Sequence, residues 1–188
     1  MAELLLFHHA QGLTTGCLAF ADELRAAGHV VHVPDLYEGK TFTDLAEGVD
    51  YAQQLGFDTV LERGRRSASE LPSDIVYAGF SLGVMPAQLL AQTRRGAKGA
   101  VLMHAAIPLS EFGGTWPPDV PLQIHTMEHD DWGDVDVARQ LAEAIDSAQL
   151  YLYPGDRHLF SDSSLPDYDE AAATLLKQRV RKFLAGLD

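Results

Sequence analysis

Short runs of mostly apolar residues alternate along this chain with longer segments in which apolar residues recur at helical spacing. Several of the runs are apolar at nearly every position, as expected for strands that are covered on both faces of a sheet. Strands that alternate with helices are typical of βαβ units, so we expect a three-layer α/β fold on a mostly parallel six-stranded sheet. The six predicted strands are residues 4–9, 29–33, 74–80, 98–104, 121–127 and 148–153.

The intervening segments carry recognisable helix ends. A helix is predicted over 14–28, between a threonine N-cap and a terminal glycine, and the segments 134–147 and 167–186 begin with acidic residues that suit a helix N-terminus. The segment 43–70 is predicted to form two short helices that break near Gly56. In parallel sheets ligands bind beyond the carboxyl ends of the strands, so we expect the functional residues there.

The pentapeptide GFSLG places Ser81 between two glycines, directly after the third predicted strand. A nucleophile on a tight strand-to-helix turn adopts a strained backbone conformation, and small neighbours allow the strand and the helix to approach. The same turn brings the serine oxygen to a helix N-terminus, where free N–H groups stabilise developing negative charge. The motif alone is common, but its position between a strand and an apolar helix favours Ser81 as a nucleophile. Pro86 fits that helix only in its first turn.

A serine nucleophile needs a base that removes its proton and an acid that orients the base. His158 is the predicted base, because it alone among the eight histidines lies on a loop after the last strand. The acid is expected on the loop after the fifth strand, where Asp130 is favoured and neighbouring carboxylates are alternatives, some of which could instead cap the next helix. These alternatives are Glu128, Asp131 and Asp134.

An oxyanion formed at the site would need two N–H donors. We expect the backbone amide of Leu82, the residue after the nucleophile, and that of Ala10, on the loop after the first strand.

A metal site is the rival interpretation of the adjacent histidines that follow the first strand. Strand alternation should direct these two side chains to opposite faces, and the chain has neither a cysteine set nor a two-histidine helix motif. We therefore expect no metal and no other cofactor. The histidines considered as ligands are His8, His9, His125 and His129.

Composition narrows the classes of partner. The formal net charge of −13 would repel nucleic acid phosphates and anionic lipid, so we expect a small-molecule substrate and neither nucleic acid nor membrane as a partner. The single cysteine, Cys17, cannot form an internal disulfide, and the N-terminus resembles a strand more than a signal peptide. We expect one cytoplasmic domain over residues 1–188, as a monomer or a homodimer.

The motifs together resemble the dienelactone hydrolase family. They are HHAQGLT at 8–14, PDLY at 34–37, GFSLG at 79–83, MEHDDWG at 127–133 and the pattern YPG..H.F at 153–160. The resemblance implies a three-layer α/β-hydrolase fold, with Asp130 as the acid and His158 as the base of a cofactor-free ester or lactone hydrolase.

Three departures from the family pattern bear on the substrate. The namesake enzymes use a cysteine where this chain has Ser81, a glutamate where it has His9, and a carboxylate-binding arginine near the position of Asp162. The first departure implies serine esterase chemistry. The other two make dienelactone itself a doubtful substrate and favour a small apolar or neutral ester.

Five side chains are predicted to border the substrate, although packing beneath a loop is the alternative for each aromatic one. They are His9, Phe112, Trp116, Trp132 and Phe160. Two other functions remain open at this stage: a non-catalytic binding protein on the same fold, and a thioesterase or acyl transferase that uses the same three residues.

Overall fold

The computed structural model describes residues 1–187, which form a six-stranded sheet with helices on both faces. All strand pairs in the sheet are parallel, and the order is β2-β1-β3-β4-β5-β6. The α/β sheet predicted from the sequence is therefore confirmed. The strands are β1 Glu3–Phe7, β2 Val30–His32, β3 Val76–Phe80, β4 Gly99–Met103, β5 Leu122–Met127 and β6 Ala148–Tyr153.

The described residues form six α-helices and two short 3₁₀ segments; all but the last helix, which follows β6, lie between strands. Their bounds are α1 Thr15–Ala26, α2 Leu45–Leu55, α3 Phe57–Ala68, α4 Val84–Thr93, α5 Val135–Ala144 and α6 Glu170–Ala185, with 3₁₀ turns at Ser81–Gly83 and Leu109–Phe112. The break between α2 and α3 lies at Gly56, whose φ of +87° favours glycine. Within residues 1–187, no helix is both long enough and apolar enough to cross a bilayer.

Side-chain alternation along β1 builds the three layers. Leu4 and Leu6 pack into one core cluster with Phe20 of α1 and Leu176 of α6, whereas Leu5 belongs to a second cluster on the opposite face. Helices α2, α3, α4 and α5 contribute to that second cluster. Burial on both faces explains why these strands are apolar at successive positions.

Three of the helices have an N-cap side chain, hydroxyl or acidic, that accepts a hydrogen bond from a backbone amide of the first turn. The side chain of Thr14 accepts from the Cys17 amide at α1, and Asp44 and Asp169 accept from the third residue after them at α2 and α6. The start of α5 differs from this pattern. Asp134 occupies its N-cap position with φ +49°, but its side chain makes no capping bond.

The chain crosses from one side of β1 to the other when it passes from β2 to β3. This reversal makes the carboxyl ends of β1 and β3 a topological switch point, where α/β sheets bind ligands. The loops that follow β1 and β3 therefore lie side by side.

Candidate active site

Ser81 lies at the tight turn between β3 and α4. Its φ is +47°, in the left-handed region that non-glycine residues rarely adopt. A Cβ added to Gly79 would lie 2.1 Å from the Gly83 carbonyl oxygen, and one added to Gly83 would lie 2.4 Å from that of Phe7. Both glycines are therefore required by close backbone contact. Pro86 falls in the first turn of α4, where its missing N–H is tolerated.

Hydrogen bonds link Ser81 to the histidine and the acid predicted from the sequence. Ser81 Oγ is 2.7 Å from His158 Nε2, and His158 Nδ1 is 2.8 Å from Asp130 Oδ2 and 3.0 Å from Oδ1. The His158 side chain is 3% exposed and that of Asp130 is fully buried. The Trp132 amide donates to Asp130 Oδ1 at 3.0 Å, which helps to hold the carboxylate in place. Among the candidate acids, Asp130 is the one that contacts His158.

Gly133 makes room for this carboxylate, a role that the sequence interpretation missed. A Cβ at Gly133 would lie 2.7 Å from Asp130 Oδ2 and 2.5 Å from Thr126 Oγ1. The glycine in the motif MEHDDWG is thus a close-packing position beneath the acid. The sequence shows the glycine in this motif, but it does not show that the Asp130 carboxylate packs against it.

The two predicted oxyanion donors lie on adjacent loops. Ala10 is three residues beyond β1, and Leu82 directly follows Ser81, while β1 and β3 pair with Phe7 opposite Gly79. Within residues 1–187, the Ala10 amide makes no hydrogen bond, although Ala10 is only 2% exposed. Leu82 lies in the short 3₁₀ turn that leads into α4, where backbone N–H groups favour negative charge.

The adjacent histidines of the loop after β1 have separate surroundings. His8 Nε2 accepts from the Leu36 amide at 2.9 Å, so its Nδ1 carries the proton and donates to the His9 carbonyl at 2.8 Å. Burial lowers the pKa of His8 to about 4, which keeps the ring neutral. His9 faces the other side, where its Nε2 lies 2.8 Å from Asp162 Oδ2.

Asp162 is held by several donors in this buried setting. Thr14 Oγ1 donates to Oδ2 at 2.5 Å, and the Ser164 amide and hydroxyl donate to Oδ1 at 2.8 Å and 2.6 Å. Although burial opposes its charge, the hydrogen bonds from His9, Ser164 and Thr14 hold the pKa of Asp162 well below its usual range. The residue is therefore a carboxylate.

The histidines considered as metal ligands do not converge. His125 contacts Tyr153 through Nδ1 and Gln123 through Nε2, away from the loop after β1. Within residues 1–187, one group of potential ligands does meet, with its atoms all within 4.8 Å: His9, Cys17 and Asp162. Because His9 and Thr14 already bond to the same Asp162 oxygen, we interpret this group as a hydrogen-bonded cluster.

The predicted substrate-contacting residues have different outcomes. Trp132 is 52% exposed, with its ring centroid 6.4 Å from that of His158, so it borders the site. Phe160 is fully buried against His104, with ring centroids 4.7 Å apart, and His9 is also fully buried. Contrary to expectation, the latter two side chains present no open surface to a substrate.

The long loop before β5 is also not where it was expected. The Trp116 indole donates to the Val120 carbonyl at 2.6 Å, and Trp116 lines a cleft with Ser147 at the amino ends of the strands. The Phe112 carbonyl accepts from Gln92, near the end of α4 that lies farther from Ser81. Neither residue contributes to the edge that holds Ser81.

A cleft of about 480 Å³ opens at the carboxyl edge of the sheet. Three segments, which follow β1, β2 and β6, supply its walls, and none of the lining side chains is charged. The sequence interpretation missed this cleft because its walls come from distant parts of the chain. The lining residues are Leu13, Thr14, Thr15, Thr41, Phe42, Thr43, Ser164, Leu165 and Pro166.

Comparison with known families agrees with this architecture. The profile of the dienelactone hydrolase family matches residues 3–187. This chain belongs to the dienelactone hydrolase family. Family membership identifies the protein as a hydrolase, and the resemblance noted in its motifs is confirmed. A comparison with curated proteins gave no match.

Solved structures show that dienelactone hydrolase-like proteins share the fold. A dienelactone hydrolase described as putative, from Klebsiella pneumoniae, aligns with a TM-score of 0.76 at 17% identity, over 98% of this chain and 87% of its own. The metagenomic dienelactone hydrolase-like promiscuous phosphotriesterase P91 aligns at 0.75 and 15%, over 100% and 87%. Esterase 2 of Thermogutta terrifontis in its apo form aligns at 0.66 and 18%, over 99% and 83%. At these identities the likeness extends to the fold alone.

Proposed function

We propose that this protein is a serine hydrolase that cleaves an ester or lactone bond of a small neutral molecule through an acyl-enzyme on Ser81. The observation that carries the proposal is the chain of hydrogen bonds from Ser81 through His158 to Asp130. A strained nucleophile, a buried base and an oriented carboxylate are the parts that this chemistry requires.

In the first half-reaction, Ser81 Oγ attacks the carbonyl carbon while His158 Nε2 takes the hydroxyl proton. Asp130 holds the other ring N–H and stabilises the imidazolium. The amides of Ala10 and Leu82 bind the oxyanion, and its collapse expels the alcohol, which takes the proton from His158. In the second half-reaction, His158 deprotonates a water that attacks the acyl-enzyme, so the acid leaves and Ser81 is restored.

The neutral cleft, whose lining does not include Ser81 or His158, is where we place the acyl or alkoxy group, and its composition supports an uncharged substrate. None of its nine lining residues is an arginine or a lysine, and the nearest buried carboxylate, Asp162, is already engaged with His9. A substrate carboxylate would therefore find no counter-charge there, in a protein of net charge −13. Hydroxyl and apolar side chains instead favour a short acyl or alkoxy group.

Labelling with a fluorophosphonate probe tests the nucleophile. Esterase 2 of Thermogutta terrifontis has been solved phosphonylated by cyclosarin, which supports this choice of reagent for the fold. We expect one label per chain, complete loss in Ser81→Ala, and normal labelling in the control Ser69→Ala, which alters an exposed helix end. Labelling that persists in Ser81→Ala would reject the proposal.

A substrate panel then defines the reaction. We expect turnover of short p-nitrophenyl esters or lactones that depends on Ser81. Acyl thioesters belong in the same panel, because a thioesterase or acyl transferase would use the same residues and differ in its preferred acyl donor or acceptor. Binding of an ester without labelling or turnover would instead favour a non-catalytic binding protein.

A further inference from the structure

The loop that carries Ala10 is a tight turn in which the last two amides, those of Gln11 and Gly12, bond back to His9. The Gly12 amide donates to the His9 carbonyl at 3.0 Å, which closes the turn from His9 to Gly12. The Gln11 amide donates to the His9 ring at Nδ1, 3.2 Å away. In the described chain, the Ala10 N–H, at the second position of this turn, has no hydrogen-bond partner. The His9 side chain thus caps its own turn at Gln11 and does not engage the Ala10 amide.

The other ring nitrogen of His9 faces the loop that carries the predicted base. His9 Nε2 lies 2.8 Å from Asp162 Oδ2, and Asp162 is four residues beyond His158. His9 is fully buried and Asp162 is 4% exposed. Because Asp162 is a carboxylate, it accepts hydrogen bonds, so the proton on this side of the ring belongs to Nε2. Nδ1 then has the lone pair that the Gln11 amide requires.

We propose that Asp162 and His9 form a second aspartate–histidine pair, which fixes the His9 tautomer and thereby holds the oxyanion turn with the Ala10 amide free. Both are positioning residues, since neither reaches the open cleft. The part of this inference that concerns catalysis rests on the proposed function, in which Ala10 binds the oxyanion. The part that concerns the His9 tautomer does not depend on the proposed function.

The raised pKa of His9 favours a charged ring, whereas the hydrogen bond that Nδ1 accepts from the Gln11 amide requires a neutral one. Burial lowers the pKa of His9, but Cys17 and the hydrogen bond that His9 donates to Asp162 raise it by more, so that it reaches about 9. A charged ring would carry a proton on Nδ1, which would face the Gln11 N–H at 3.2 Å. We favour the neutral ring, because two donors cannot share that contact.

The first experiment observes the tautomer in the wild-type protein. In a nitrogen-15-labelled sample near neutral pH, a long-range proton–nitrogen spectrum of the imidazoles should show His9 protonated at Nε2 and unprotonated at Nδ1. The resonance is assigned by its loss in His9→Asn. A doubly protonated ring, or a proton on Nδ1, would overturn the pair whether or not the protein hydrolyses esters. If the tautomer is as stated but no Ser81-dependent turnover exists, the proposed function fails and the pair does not.

The second experiment separates positioning from binding. In Asp162→Asn, the side-chain amide can donate to Nε2 and drive the proton to Nδ1, against Gln11. We expect kcat for p-nitrophenyl acetate to fall about 10- to 100-fold, with KM changed less than about twofold. The control is Cys17→Ala, which removes a thiol that contacts the same carboxylate at 3.8 Å, lies outside the cleft and leaves the His9 contact. An unchanged kcat in Asp162→Asn, or an equal loss in the control, would contradict the proposal.

The third experiment is a rescue. An asparagine side-chain oxygen can accept from the amide two residues along, so His9→Asn can keep the Gln11 contact without help from Asp162. We expect its kcat to exceed that of His9→Leu by about tenfold, and Asp162→Asn to cause no further loss in that background. A merely structural role would lower thermal stability and kcat together in both variants, and Asp162→Asn would cost the same with either residue at position 9.

Discussion

Replacing Gly133 by alanine should displace the acid of the candidate site without unfolding the protein. The added Cβ would lie 2.7 Å from Asp130 Oδ2 and 2.5 Å from Thr126 Oγ1, where ordinary contact begins at 3.4 Å. The backbone at Gly133 lies outside the left-handed region, so alanine is opposed by contact and not by conformation. Both opposing atoms belong to side chains, and the Asp130 carboxylate is the one that can rotate away.

The expected loss of activity follows from how far the 2.7 Å distance between the added Cβ and Asp130 Oδ2 falls below ordinary contact. Relief of the contact requires a shift of the carboxylate by about 0.7 Å, which would lengthen its 2.8 Å bond to His158 to the limit of hydrogen bonding. A misplacement of this size costs about 10²-fold in rate, or roughly 3 kcal/mol of transition-state stabilisation. Complete loss of the acid, as in Asp130→Asn, sets an upper bound of about 10⁴-fold. We expect Gly133→Ala to fall between these values.

The assay compares kcat/KM for a short p-nitrophenyl ester with the melting temperature of each variant. Gly186→Ala is the matched control, because its Cβ would meet only ordinary contacts, the nearest at 3.4 Å. Asp131→Asn tests whether a neighbouring exposed acid contributes. Activity of Gly133→Ala within about twofold of wild type would refute the reasoning, and so would a rate loss explained by unfolding alone.

Three further outcomes are expected. Gly83→Ala should lower the free energy of unfolding by about 1 to 3 kcal/mol, because its Cβ would lie 2.4 Å and 2.6 Å from the Phe7 and His8 carbonyl oxygens. Denaturant titration measures this change, and an unchanged unfolding midpoint would contradict the prediction. Burial, with a smaller effect of Arg179, lowers the pKa of His125 to about 3, so the unfolded chain binds an extra proton as the pH falls from about 6.5 to 3. Stability is lost across that pH window. His125→Gln should therefore move the midpoint of acid unfolding, followed by circular dichroism, to lower pH. A midpoint that is unchanged or higher would contradict the prediction. Thr43→Trp, which fills the cleft, should reduce kcat/KM for octanoate relative to acetate esters about tenfold, and equal effects on both esters would exclude the cleft as the acyl site.

Local signals in the sequence predicted most of the fold and the residues around Ser81. The apolar runs identified every strand, most clearly β3, β4 and β5, whose residues are all buried because both faces of the sheet are covered there. The elbow was recognisable because the backbone contacts at Gly79 and Gly83 leave no choice of residue there. Loop placement favoured Asp130 and the family pattern agreed, but the neighbouring acids stayed open as alternatives because four acids on one loop differ only in how the loop directs them.

The errors in the predicted substrate wall have a common physical origin. Phe160 is two residues from His158, yet its ring turns into the core, and Trp116 lies on a loop that runs to the amino edge of the sheet. A motif fixes where a residue stands in the chain, whereas the direction of its side chain depends on packing. The pair of His9 and Asp162 was missed for a related reason, because 153 positions separate its members and neither has a distinctive neighbour.

This pair also explains how the site can depart from its family and still present no charged side chain to the cleft. The family pattern suggests a glutamate and an arginine near these two positions, and the chain has a histidine and an aspartate instead. An aspartate left alone in a buried site would be costly, but here it accepts from His9, Thr14 and Ser164. The Asp162 carboxylate therefore bonds to donors within the protein and not to a ligand. We therefore expect the cleft beside it to select for shape and apolar contact, and this expectation underlies our proposal of neutral esters, rather than carboxylates, as substrates.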